Sequence, residues 1–316
     1  MSTIAVVGEI VADAVLPPGA VVDGVAHLAV HPGGGPANTA VALARLGTTA
    51  RFAGRLSNGA LGALCRAKLE ASGVDLTTSV VVDRPATLAI ARLDAGGSAS
   101  YEFYTEGTAD WGWTDGSLAP VLDAQGGAPH HPLAIHTGTL AIALQPSRTA
   151  IENLLARACG RMTISVDPNL RTNLVPAIVY RQRIDGWAAL SDIIRLSEDD
   201  LDQLWPGWTP EQAATHLHQL GVALVVVSLG GAGAFASLRG EQITVPIAPT
   251  ALVDTVGAGD SFHAGLLHHL AEAGALGGRL DHLTIGQTGA ALEFAARVAA
   301  VTCSRPGADP PWAAEL

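Results

Sequence analysis

Runs that read as strands alternate with runs that read as helices along most of the chain, and few architectures admit that order. TIAVVGEI (3–10) precedes PANTAVALARLG (36–47), and ARFAGRL (50–56) precedes ALGALCRAKLEASG (60–73). LAIHTG (133–138) leads through SRTAIENLLARACG (147–160) into MTISVDP (162–168). IIRLS (193–197) precedes EDDLDQLW, and EQAATHLHQLG (211–221) precedes VALVVVSLG (222–230). Such alternation predicts βαβ units and a mostly parallel sheet covered on both faces. Ser147 and Ser197 stand where N-caps belong, and Gly160 and Gly221 where helices stop. The 316 residues, 48% hydrophobic and 15% charged, can bury a sizeable core, as one large α/β domain with an appendage or as two domains.

Two stretches break the alternation. Residues 11–31 and 80–106 read as short strands with turns, and DAGG between TLAIARL and SASYEFY is a hairpin signal. On pattern alone two readings stand: a small sheet projecting as a lid over a site, or an extra edge hairpin with no role in binding.

A net charge of −11 speaks against general nucleic-acid binding, which needs a basic surface, but leaves room for a phosphate held by local donors or a cation. No run reaches 18 apolar residues, so no membrane span is expected. The N-terminal residues lack the basic start of a signal peptide. Cys65, Cys159 and Cys303 are sparse and lie in no CxxC, which points to reduced thiols, a cytoplasmic setting and no zinc site.

Three glycine-rich segments carry the chemistry. LVVVSLGGAGAFA (224–236) fits G-x-G-x-x-A at Gly231, Gly233 and Ala236, with Asp254 about 20 residues on, as a dinucleotide fingerprint asks. That fingerprint must open a helix, whereas AFASLRGEQITVPI reads as strand, turn, strand, so an oxidoreductase is disfavoured. No P-loop is present, yet Gly230, Gly231 and Gly233 could carry an adenosine against bare backbone. HPGGGPANTAVALARLG (31–47) runs three glycines into a helix, with Pro36 suited to the first turn. It is either a flexible loop or a platform for a polyhydroxylated ligand, with Asn38 bonding a hydroxyl. DTVGAGDSFHAG (254–265) sets Gly257, Ala258 and Gly259 before Asp260 at the expected start of a helix. N–H groups there lack partners and favour an anion. Asp260 could be a plain N-cap; alternatively it is a base that takes a hydroxyl proton while those N–H groups hold the negative charge of the group attacked.

DTVGAGDSFHAG and GGGPANTAVALARLG together resemble the two signatures of the ribokinase-like (PfkB) carbohydrate kinases, in order and over essentially the whole chain. The resemblance implies a single Rossmann-like three-layer α/β/α domain over 1–316, with a small β-sheet lid drawn from about 11–31 and 80–106. It implies transfer of the ATP γ-phosphoryl group to a primary hydroxyl of a monosaccharide, with Asp260 as base and Gly257, Ala258 and Gly259 as anion hole. Asp13, Gly33, Gly34 and Asn38 match sugar contacts; the aromatic residues Phe103 and Tyr104 of the lid stretch either pack on a sugar face or simply pack within their sheet. SLGGAGA (228–234), with Ser228, Gly230, Gly231 and Gly233, matches the nucleotide loop. In DPNLR (167–171), Asn169 is expected near the nucleotide and Arg171 as a clamp on developing charge. RLSEDDL falls where the family has N-x-x-E, with Glu198 acting on Mg²⁺ through water. Arg195 stands in place of the asparagine, which puts a metal role at that position in doubt. Asp254, the backbone of Val256 and the segment from Thr302 to Gly307 match a monovalent-cation site, with K⁺ the candidate ion.

HTGTLAI, YEFYTEGTADW, DPNLR and LSEDDL are more similar to fructokinases than to ribokinases or adenosine kinases. Fructose is therefore the first substrate expected, with 2-keto-3-deoxygluconate, ribose or a nucleoside as alternatives. A non-catalytic sugar- or nucleotide-binding regulator is the competing class. A homodimer through the lid is open on sequence alone.

Overall fold

The structure is a computed structural model and describes residues 2–17, 19–93, 99–123 and 131–316. Among the described residues, eight strands form the central sheet, in the order Glu241–Val245, Ala234–Leu238, Leu224–Ser228, Ile193–Ser197, Thr163–Asp167, Ala134–Gly138, Thr3–Val7, Thr49–Ala53. The strands from Leu224–Ser228 onward in that order run parallel, and the first two are antiparallel. Side chains alternate across the sheet, so each strand feeds two cores. Ile4 and Val6 pack with Leu43, Leu69, Leu267 and Leu292 on one face. Ala5 and Val7 pack with Trp113, Ile151, Leu154 and Trp187 on the other. Burial on both faces explains why Ala134–Gly138 and Thr163–Asp167 are buried at every residue.

The local signals hold with one exception. Ser197 caps the Glu198–Leu204 helix and accepts from the Asp200 N–H, while Asp200 reaches back to the Ser197 N–H. Ser147 is not an N-cap. Pro146 holds that position, Ser147 is the first helical residue, and its hydroxyl instead donates to the Asp110 carbonyl at 3.4 Å. After Leu224–Ser228 comes a short turn at Gly230–Ala232 and then the antiparallel strand Ala234–Leu238, so no helix opens on Gly231 and Gly233.

A second sheet has the order Ala99–Tyr104, Leu88–Leu93, Val11–Leu16, Ala29–Gly33. It combines the two β-rich interruptions, with Asp13 paired to both His31 and Ala89. Within 80–106, Val80–Val82 belongs elsewhere and pairs with Arg55–Ser57. The DAGG turn and most of the 123–132 loop lie outside the described residues. Among the described residues no helix is long and apolar enough to cross a membrane.

Candidate active site

The site is built where two helices begin side by side. The Gly35–Arg45 helix starts after Gly34, whose φ is +100°, and a Cβ there would lie 2.9 Å from the Glu9 carbonyl oxygen. Only glycine tolerates both conditions. The Ala258–Glu272 helix starts after Gly257, at φ +74°, where a Cβ would meet that of Ala308 at 2.6 Å. No side chain caps this second helix. Asp260 therefore does not act as an N-cap; the Ala258 N–H donates to the Thr255 carbonyl at 3.2 Å, while among the described residues the Gly259 and Asp260 N–H groups stay available.

The Asp260 carboxylate turns toward the other helix, where Oδ2 accepts from Asn38 Nδ2 at 2.9 Å. Burial pushes its pKa up to about 6, against the lowering effect of the Asn38 bond and of Arg171 and Arg195; Asp167 raises it further. Gly35 completes the spot: a Cβ there would lie 2.5 Å from Thr139 Oγ1, 3.1 Å from Asn169 Nδ2 and 3.2 Å from Asp260 Oδ1. Three polar groups thus converge over bare backbone.

A cavity of about 500 Å³ lies between these helix starts and the second sheet, lined among others by Asp13, Gly34, Asn38, Phe103, Asn169, Arg171 and Asp260. Burial raises Asp13 to about 6, with Arg171 and Lys68 opposing. Gly33 sits behind Asp13; a Cβ there would overlap Oδ2 at 1.9 Å. Asn169, expected with the nucleotide, is placed here instead. Its backbone is left-handed at φ +41°, its Oδ1 accepts from Arg171 Nη1 at 2.7 Å, and its amide donates to Thr139 Oγ1 at 3.4 Å. Tyr104 is not in the cavity. Neighbours on a strand face opposite ways, so Phe103 lines the cavity while Tyr104 is 53% exposed and donates to Glu102.

A second cavity, of about 670 Å³, is lined by Ser228, Gly230, Gly231, Gly233, Glu198, Ala258, Ile247 and Leu252, among others. Arg195, Ser197, Asp199, Thr255 and Gly259 border both cavities. The bare start of the Ala258–Glu272 helix thus separates a carboxylate on one side from a glycine turn on the other. Glu198 and Asp199 are exposed at the rim, and no group of three or more His, Cys, Asp or Glu among the described residues could hold a metal. Asp254 accepts from the Val256 N–H at 3.1 Å and the Gly307 N–H at 2.7 Å, so these three positions do come together.

The connection between Arg195, Asp167, Ser228 and His263 beneath the junction was not legible in the sequence. Arg195 Nη1 donates to Asp167 Oδ2 at 3.0 Å, and Nη2 donates to Ser228 Oγ. His263, one turn after Asp260, places Nδ1 3.4 Å from Asp167 Oδ2 and Nε2 2.6 Å from Ser165 Oγ. Burial alone would raise the Asp167 carboxyl, but Arg195 and His263 hold it well below the usual range. The signals were DPNLR and the basic residue in RLSEDDL; what joins them is strand register.

An uncapped helix start between a buried carboxylate and a glycine turn is an arrangement suited to phosphoryl transfer. The sequence profile of the pfkB family carbohydrate kinase matches residues 1–315, and the chain belongs to that family. A fructokinase from Rhizobium leguminosarum bv. trifolii is 36% identical over 247 residues, covering 77% of this chain and 72% of that protein. The crystal structure of fructokinase from Xylella fastidiosa with bound ATP superposes with a TM-score of 0.84 at 26% identity, over 97% of this chain and 93% of that one. A double mutant of fructokinase from Vibrio cholerae O395, in fructose, ADP and potassium ion bound form, gives 0.77 at 26% identity, over 98% and 94%.

Proposed function

We propose that this carbohydrate kinase transfers the γ-phosphoryl group of ATP to a primary hydroxyl of a monosaccharide, fructose first. One observation carries the reading: Asp260 faces the smaller cavity while the same helix start faces the glycine turn of the larger. Sugar in the first cavity and nucleotide in the second would meet at the N–H groups of Gly259 and Asp260, next to Ala258, whose own N–H donates to the Thr255 carbonyl at 3.2 Å. Asp260 takes the proton of the attacking hydroxyl, and those N–H groups hold the phosphoryl oxygens. Asp13 and Asn38 are suited to sugar hydroxyls, Gly34 to close approach, and Phe103 to a sugar face. Ser228, Gly230, Gly231 and Gly233 cradle the nucleotide.

Mg²⁺ suits the rim, because it keeps several waters and is bound through one or two carboxylates plus substrate phosphates. Glu198 and Asp199 would hold it, and it would supply charge neutralisation on the phosphates. Asp254, Val256 and the segment to Gly307 form the candidate K⁺ site, supported by the potassium-bound relative. The second sheet acts as a lid that excludes water as a competing acceptor. The cytoplasm, where thiols such as Cys65, Cys159 and Cys303 stay unpaired, suits this reading. Exposed Val21, Val22 and Val25 support a homodimer through the lid, which sedimentation would test.

The test is ATP consumption with fructose, 2-keto-3-deoxygluconate, ribose and nucleosides. Highest kcat/KM with fructose is the expected result. Turnover with another acceptor would move the substrate, and none with any would favour a binding protein.

A further inference from the structure

Arg195 stands at the junction of the two cavities and is the one cationic side chain among the described residues that borders both. It is 5% exposed, and its guanidinium is held from two sides, by Asp167 Oδ2 at 3.0 Å and by Ser228 Oγ. Those bonds use one proton each on Nη1 and Nη2, and the buried Nε–H has no partner. The guanidinium also lies against the bare Cα of Gly259, where a Cβ would come within 3.0 Å of Nη1 and 3.1 Å of Nη2. It is therefore tucked under the first turn of the Ala258–Glu272 helix, the turn assigned to the phosphoryl group under the proposed function. Arg171, the residue first expected as the clamp, is placed differently. It borders only the acceptor cavity, and its Nη1 is occupied by Asn169 Oδ1 and two carbonyls.

We propose that Arg195 is a catalytic residue that grips the phosphoryl group in transit, with Asp167 and Ser228 positioning it; this rests on the phosphoryl transfer proposed above. In the step, the bond from the γ-phosphorus to the β–γ bridging oxygen breaks and its electron pair stays on ADP. A bond forms from phosphorus to the sugar oxygen, whose proton passes to Asp260. Negative charge is then spread over the three equatorial oxygens, midway between the cavities. A planar, permanently charged fork with spare protons on both terminal nitrogens suits that target, and a cation already fixed in place needs no reorganisation as charge develops. Arg195 neither gains nor loses a proton.

The experiment compares the wild-type chain with Arg195→Met, Arg195→Lys and Ser228→Ala. Steady-state kinetics are run with ATP and the best sugar, alongside calorimetric binding of Mg·ADP with and without aluminium fluoride as a planar phosphoryl mimic. Arg195→Met is expected to lower kcat by about 100-fold or more with KM for the sugar within about 3-fold, and to abolish the tightening of ADP binding by aluminium fluoride. Arg195→Lys should recover part of kcat, and Ser228→Ala should lose roughly 3- to 10-fold with an unchanged melting midpoint. A folded Arg195→Met with kcat within about 3-fold of wild type, or with the mimic still tightening ADP as before, would overturn the proposal. Should Arg195→Met fail to fold, wild-type kcat and wild-type tightening in both other variants would overturn it equally. A wild-type chain that turns over no sugar would instead defeat the proposed function, and the ADP measurement needs no turnover.

Discussion

Asn38 Nδ2 donates to Asp260 Oδ2 at 2.9 Å, joining the first turns of two helices across 222 positions of chain. The bond stabilises the ionised carboxylate, which burial otherwise disfavours, and it aims the oxygen beside Gly35. The proposed base is thus held at a pKa of about 6 by opposing effects, burial first and the Asn38 bond against it.

That balance fixes a pH profile. The base works only when ionised, so kcat/KM should fall on the acid side with a limb near pH 6. Asn38→Ala removes a lowering influence, so the limb should move to higher pH, by about one unit. Asp260→Asn should lower kcat by about 10²- to 10⁴-fold at every pH while ADP binding is kept. A limb that stays in place in Asn38→Ala, or a near-normal rate in Asp260→Asn, would exclude Asp260 as the base.

Strand parity separates Phe103 from Tyr104. The first lines the acceptor cavity; the second points away and is 53% exposed. Phe103→Ala should raise KM for the sugar by about 5- to 30-fold, the cost of losing part of an aromatic contact. Tyr104→Ala should leave KM within about 2-fold, since surface substitutions away from special features change little. Equal effects in both variants would show that the second sheet does not seat the sugar through Phe103.

Much of this was legible in the chain. The alternation of apolar strand runs such as TIAVV with helix-like runs carries the sheet covered on both faces, because few architectures admit that order. The place of Asp260 in the first turn of a helix was legible, because the apolar stripe that follows it fixes where that helix begins. The side of the site on which Asn169 falls was not, since a left-handed residue between Pro168 and Leu170 redirects its side chain. Ser147 misled because Pro146 already supplies the helix entry. The setting of Arg195 was invisible because Asp167 and Ser228, 28 and 33 positions away, reach it only through the register of neighbouring strands.

Glu9 gives a prediction in stability. It is buried in the wall of the acceptor cavity, with Oε2 accepting from the Ala141 N–H at 3.0 Å and Oε1 without a partner among the described residues. Burial first, and Asp110 beside it, push its pKa up to about 8. The folded chain then keeps a proton that the unfolded chain releases above the ordinary value of 4.5. The contribution to stability is fully present below pH 4.5 and is lost as pH rises through about 8. The span corresponds to on the order of 5 kcal/mol. Glu9→Gln keeps an acceptor for Ala141 and cannot ionise, so its melting midpoint should vary less than that of wild type between pH 6 and 9. Parallel curves for the two proteins would show that Glu9 is not the group responsible.

Gly257 and Gly259 stand two residues apart and should fail for different reasons. At Gly257 the backbone is left-handed at φ +74° and a Cβ would strike Ala308 at 2.6 Å. Gly257→Ala should therefore destabilise the fold by about 1–3 kcal/mol and disturb the anion site with it. Gly259 carries no such backbone constraint; what opposes a side chain there is the Arg195 guanidinium at 3.0 Å. Gly259→Ala puts alanine in a helical first turn, where its intrinsic propensity is better by about 1 kcal/mol. Stability should then change by less than about 1 kcal/mol, because that gain offsets the crowding. Activity should still fall by about 10-fold or more, as the displaced guanidinium loses its aim. Thermal unfolding and kcat measured on both variants decide it: a Gly259→Ala enzyme with wild-type kcat would mean that the contact between Gly259 and Arg195 has no part in the reaction.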